Sequence, residues 1–89
     1  MHRNEIVRES ILIQCYGVRP GPRDAEHMAR TARREGELVD ALPDEFAREA
    51  DYLVGRGFLE ERPDALSKAH KRWAITAAGI DHLEGEGLV

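Results

Sequence analysis

The chain has 89 residues, with 13 Lys or Arg against 17 Asp or Glu and a formal net charge of −4. That length holds one domain, residues 1–89, with one modest core, and 42% apolar residues are too many for a disordered tail. The acidic balance argues against a protein that coats nucleic acid without specificity, although a local basic patch remains compatible with it.

The first helix is expected from about Asn4 to Tyr16, with Asn4 as its cap and Glu5 suited to its first turn. Ile6, Val7, Ile11, Leu12, Ile13, Cys15 and Tyr16 cover more than one face of it. Some of Val7, Ile11, Leu12 and Tyr16 are therefore expected in an exposed patch or at a homodimer contact. The Gly17–Pro22 segment ends this helix. Asp24 caps a second helix over about 25–35, whose thin stripe is Ala25, Met28, Ala29 and Ala32, and Gly36 terminates it. Pro43, Asp44 and Glu45 suit the start of a third helix over 43–55. Phe46, Ala50, Leu53 and Val54 form its apolar stripe, and Asp44, Arg48, Asp51, Tyr52 and Gly55 lie opposite. Phe58–Arg62 and Lys71–Thr76 read as two strands around a turn over 63–70, with Trp73 and Ile75 on one face. Thr76 caps a short last helix over about 77–83. Phe46, Leu53, Phe58, Trp73, Ile75 and Leu83 are expected to share one core with Ile6, Ile13 and Met28, with Trp73 largely buried.

This order makes the expected fold class mainly α with a small β-hairpin: a winged helix-turn-helix with a three-helix core, a two-stranded wing and a short C-terminal helix. Two phrases carry a resemblance to that family. Tyr52-Leu53-Val54-Gly55-Arg56-Gly57-Phe58-Leu59 is similar to the stretch that runs from a third helix into the wing. Trp73-Ala74-Ile75-Thr76, followed by Gly79 and Leu83, is similar to the return from the wing into the last helix. The whole chain also resembles the small winged-helix proteins of Mu-like phages and prophages, which close near the segment Gly79–Gly85 as this chain does. The resemblance implies double-stranded DNA as partner and a role in transcription or phage development.

Such a fold lays its third helix in the major groove and its wing along the backbone or minor groove. Between Arg62 and Trp73, Arg62, Lys68, Lys71 and Arg72 face only Asp64, a local +3 suited to phosphate, and Ser67 and His70 add hydrogen-bonding groups. Lys68, Lys71 and Arg72 are expected to be exposed and close together. The third helix is less suited: Asp44, Glu45, Glu49 and Asp51 outnumber Arg48 and Arg56. Arg48 and Tyr52 are its candidate base readers, with Arg56 at its end. Pairing of Arg48 with Asp44 or Asp51, and packing of the Tyr52 ring on a neighbour, are the structural alternatives. Arg19, Arg23, Arg30, Arg33 and Arg34 form a second basic group, of which Arg30, Arg33 and Arg34 read as a solvated outer face.

No chemistry of catalysis is legible. His2, His27, His70, His82 and Cys15 lack metal-ligand spacing, and no Gly-rich phosphate loop is present, so neither metal nor cofactor is expected and the chain does not read as an enzyme. Cys15 reads as a small core residue with no internal disulfide partner. No apolar run exceeds three residues and no leader pattern opens the chain, so a cytoplasmic protein without a membrane partner is expected. The competing reading is a protein-interaction module on the same scaffold, meeting a protein partner through the acidic third helix or the apolar first helix.

Overall fold

The computed structural model describes residues 2–67 and 70–89. Among them the order is α1 (Arg3–Gly17), β1 (Arg23–Asp24), α2 (Ala25–Arg34), α3 (Pro43–Gly55), β2 (Leu59–Pro63), β3 (Lys71–Ile75) and α4 (Ala77–Gly85). The result is mainly α, four helices on a small antiparallel sheet of order β1-β3-β2. The third strand, β1, is absent from the sequence reading. It is two residues long, and its pairing of Arg23 with Trp73 and Asp24 with Arg72 is made entirely by β3. No local pattern of two residues can announce such a strand.

Capping chemistry explains two of the helix starts. Asp24 accepts a hydrogen bond from the His27 amide at 2.7 Å, and Thr76 accepts one from the Gly79 amide at 3.1 Å. Asn4 is not the cap of α1. The helix begins one residue earlier, at Arg3, and His2 stands at the cap position without a side-chain hydrogen bond. Gly36 and Gly57 adopt φ of +78° and +82°, the left-handed conformation that lets α2 and α3 end and the chain turn away.

The core gathers Val7, Ile11, Leu12 and Cys15 of α1 with Met28, Ala29, Ala32, Phe46, Ala50, Leu53, Leu59, Trp73, Ile75 and Leu83. Trp73 is 1% exposed, as expected of the residue that joins the hairpin base to the helices. Ala74 is also buried, because β3 is the central strand and is covered on both faces. Phe58 and Ile6 pack against the edge of this core. Ile13 does not belong to it and is 37% exposed. At about 100° per residue it falls about 200° from Ile11, and the opposite side of α1 is the one that packs.

The exposed patch expected on α1 is not there. Val7, Ile11 and Leu12 are buried within one chain, and the half-buried Tyr16 ring is covered by the Arg19 guanidinium at 3.7 Å. Val7, Ile11 and Leu12 thus offer no exposed apolar surface, because α2, α3, β3 and α4 pack on that side of α1, while Tyr16 is half-buried and Ile13 stays exposed. A buried polar contact fixes β1 against this core. Gln14 donates to the Met28 carbonyl at 3.0 Å and accepts from Arg23 at 3.1 Å. No helix among the described residues is long and apolar enough to cross a membrane.

Candidate functional site

The charges of α3 are distributed differently from the linear count. Glu49 is 7% exposed and accepts from Arg8 Nε at 2.7 Å. Glu45 accepts two bonds from Arg3, at 2.6 and 2.9 Å, while Arg3 also reaches Asp40 at 3.0 Å. The Arg3 hydrogen bonds hold the Glu45 and Asp40 carboxyls below their usual range. Two of the four carboxylates that make α3 acidic are therefore neutralised by α1, on the side that packs. Arg3 and Arg8 were not singled out as partners because pairs more than 35 residues apart leave no local spacing signal. The exposed side retains Asp44, Arg48, Asp51 and Tyr52.

Arg48 pairs with neither Asp44 nor Asp51. Its 71% exposed side chain lies 3.6 Å from Glu49, whose carboxylate Arg8 already holds. Arg48 is thus a weakly tethered cation facing solvent. Asp51 meets Lys71 Nζ at 3.8 Å, both about half exposed. This contact sets the turn end of the hairpin, where Lys71 pairs with Pro63, beside the exposed face of α3.

The hairpin is less basic than its chain segment. Strand pairing sets Glu60 opposite Ala74, Glu61 opposite Trp73 and Arg62 opposite Arg72, and Arg62 turns back to Glu60 at 2.8 Å. Arg72 is half-buried, against the expectation of full exposure. It lies in the central strand, its Nε is buried without a partner among the described residues, and it donates to the Pro63 carbonyl at 2.9 Å. Lys71 is exposed, Ser67 is exposed near the tip, and Lys68 lies outside the described residues. Leu66, which the sequence reading passed over, is 96% exposed at the tip.

His70 joins two elements. Its Nδ1 lies 2.8 Å from Asp64 and its Nε2 lies 3.0 Å from Asp24, the cap of α2. The hydrogen bond to Asp64, then that to Asp24, raises its pKa above the ordinary 6.5. Asp64 is held below its ordinary value by the Leu66 amide first and by His70 second. His70, Lys71, Asp24, Glu26, Ala47 and Trp73 line one hollow of about 230 Å³ between the hairpin, α2 and α3.

Tyr52 and Arg56 are not part of that hollow. The Tyr52 ring carries the Arg8 guanidinium at 3.7 Å, and its hydroxyl accepts from Arg56 at 3.0 Å. Both residues line a separate cleft with α1 and α4. Of the eight residues expected at one nucleic-acid site, the seven that are described do not come together in one place. His70 and Lys71 line the hollow, Arg72 pairs in β3 opposite its lining residue Asp24, and Arg48 stands on the exposed face of α3. Tyr52 and Arg56 face the other cleft, and Ser67 is at the hairpin tip with Lys68 undescribed. Arg33 is also more than a solvated cation, because its side chain donates to the Ala41 carbonyl and fixes the α2–α3 connection. Burial pushes the Cys15 thiol up to about 11, which suits a core residue. No protein-family model, curated protein or solved structure matches this chain.

Proposed function

We infer that the chain is a winged-helix DNA-binding protein whose hairpin is the wing and whose α3 lies toward the major groove. The observation that supports this most directly is the 3.8 Å contact of Lys71 with Asp51, which makes the turn end of the hairpin and the exposed face of α3 one continuous surface. The order of helices, and a sheet formed by the hairpin together with a strand just before α2, are those such a domain uses. Inward pairing of Glu45 and Glu49 lessens the repulsion that a linear count assigns to α3. In this reading Lys71, Arg72 and Ser67 serve phosphates, Arg48 reads a base edge, and His70, whose two ring nitrogens are held by Asp64 and Asp24, positions the hairpin. Tyr52 and Arg56, turned toward α1, are left out of the contact. A role in phage or prophage transcription or development rests on the resemblance of the closing segment alone.

Titration of a labelled duplex at 50 and 200 mM salt tests the reading. Phosphate-dominated binding weakens steeply as salt rises, and Lys71→Ala reduces the log–log slope by about one unit for every duplex alike. Arg48→Ala instead relaxes preference at one position, by about 1–3 kcal/mol. Affinity that is indifferent to both substitutions removes the wing and α3 as contacts. A protein-interaction module then becomes the better reading, with Asp44 and Asp51 as its surface.

A further inference from the structure

The cleft that takes Tyr52 and Arg56 has a chemistry of its own. It encloses about 230 Å³ between α1, α3, α4 and the residues after α4, and it shares no residue with the hollow beside the hairpin. Leu12, Leu53, Phe58 and Leu88 supply apolar wall. Phe58 and His82 stack with ring centroids 4.5 Å apart. Glu5, Glu9 and Glu86 stand around this wall, and none of the three makes an ion pair among the described residues. Two cations are present as well. Arg8 is already matched by Glu49, and Arg56 makes no ion pair with a carboxylate among the described residues. The unmatched charge of the cleft is therefore three carboxylates against one guanidinium.

A volume of about 230 Å³ lies below the roughly 300–1,000 Å³ of small-molecule sites, so the cleft fits one or two inserted side chains better than a metabolite. An apolar wall with carboxylates at its rim suits a long side chain with an apolar stem and a cationic head. Arginine fits better than lysine. Its planar guanidinium can fork to a carboxylate with two parallel hydrogen bonds, whereas an ammonium meets one as a point charge; the Phe58 ring takes no part, because His82 stacks on it and Arg56 already lies over it at 5.5 Å. We propose that the α1–α3–α4 cleft is a docking site for an arginine-bearing, partly apolar segment of a partner protein, with Glu5, Glu9 and Glu86 receiving the guanidinium groups. The site is separate from the DNA surface, so this proposal stands or falls independently of that reading.

The probe is a fluorescein-labelled octapeptide alternating arginine and leucine, with citrulline in place of arginine as the uncharged control. Fluorescence anisotropy at 100 mM salt should show saturable binding of the arginine peptide, weaker by at least about tenfold for the citrulline one. The combined variant Glu5→Gln, Glu9→Gln, Glu86→Gln should weaken binding by a similar factor. A variant with the same change in net charge elsewhere, Glu35→Gln, Glu61→Gln, Asp81→Asn, should stay within about twofold of the unmodified protein. Methyl resonances of Leu12, Leu53 and Leu88 should shift on titration, which locates the peptide without any substitution. Four results would each overturn the proposal: absence of binding, equal loss from the two triple variants, equal binding of the citrulline peptide, or shifts confined to another face. A dimer in sedimentation that seals the same cleft would overturn it too, by naming a second copy as the occupant.

Discussion

Gly79 shows how much one hydrogen atom can decide. It is buried in the first turn of α4, and a Cβ there would overlap the Phe58 carbonyl oxygen and lie 2.7 Å from Ile75 Cγ1. The glycine in the sequence phrase after Thr76 is thus the point where α4 touches the connection into β2. Gly55, at the end of α3, has open space where a Cβ would stand and no positive φ. Gly79→Ala should therefore destabilise the fold by about 1–3 kcal/mol through overpacking, seen as a lower midpoint in urea with an unchanged slope. Gly55→Ala should be neutral or stabilising by up to about 1 kcal/mol. Equal midpoints for the two variants would mean that α4 yields without strain. Glu49 makes the complementary point. Its type and position gave no sign that it is buried, because the reason is Arg8, a residue 41 positions away.

Between elements, a polar tie of the hairpin to α2 outside the core runs through His70. Each of its ring nitrogens faces a carboxylate, and a neutral imidazole has only one N–H to donate. Both bonds are therefore complete only in the imidazolium, which links the turn at Asp64 to the α2 cap at Asp24. Because the folded pKa of His70 is raised above its ordinary 6.5, this stabilisation is fully present below 6.5 and is lost as pH rises through the folded value. Asp64 acts in the opposite sense. Its depressed pKa contributes stability above 3.8 that is lost as pH falls through its folded value. The clip is thus complete between these limits. The urea midpoint of the unmodified protein should exceed that of His70→Gln at pH 5.5, and the gap should close by pH 8.5. A gap of the same size at both would show that His70 acts by packing and not by charge. The sequence alone offers His70 as a lone surface histidine or a phosphate partner, because Asp24, its second acceptor, is brought close by the pairing of β1 with β3.

At the scale of the whole molecule, what was legible in the sequence was what depends on neighbours in the chain. Helix spans followed from spacing and from the Asp24 and Thr76 caps, and the hairpin followed from its apolar residues and Trp73. What escaped depends on partners far away: β1, the burial of Glu49, the solvent-facing side of Ile13, and the separation of Tyr52 and Arg56 from His70 and Lys71 into different clefts. The charge balance of the surface belongs to this second group, and it is where the DNA reading and the protein-interaction reading part. Asp51 is the residue on which they differ in sign. It is about half exposed, its loss leaves no buried partner, and its carboxylate holds Lys71 at 3.8 Å. If DNA lies along α3 and the hairpin, Asp51→Asn removes one repulsive charge beside the phosphates and releases one lysine to meet them. Affinity should rise for every duplex, and the log–log dependence on salt should steepen by about one unit. If the exposed face of α3 instead meets a basic protein surface, the same substitution removes an attractive charge and should weaken that complex by an amount that salt diminishes. Stability should change little in either case, as expected for a surface ion pair. Tighter duplex binding by Asp51→Asn, with an unaltered urea midpoint, is the expected outcome. Weaker binding would mean that α3 does not face the phosphates.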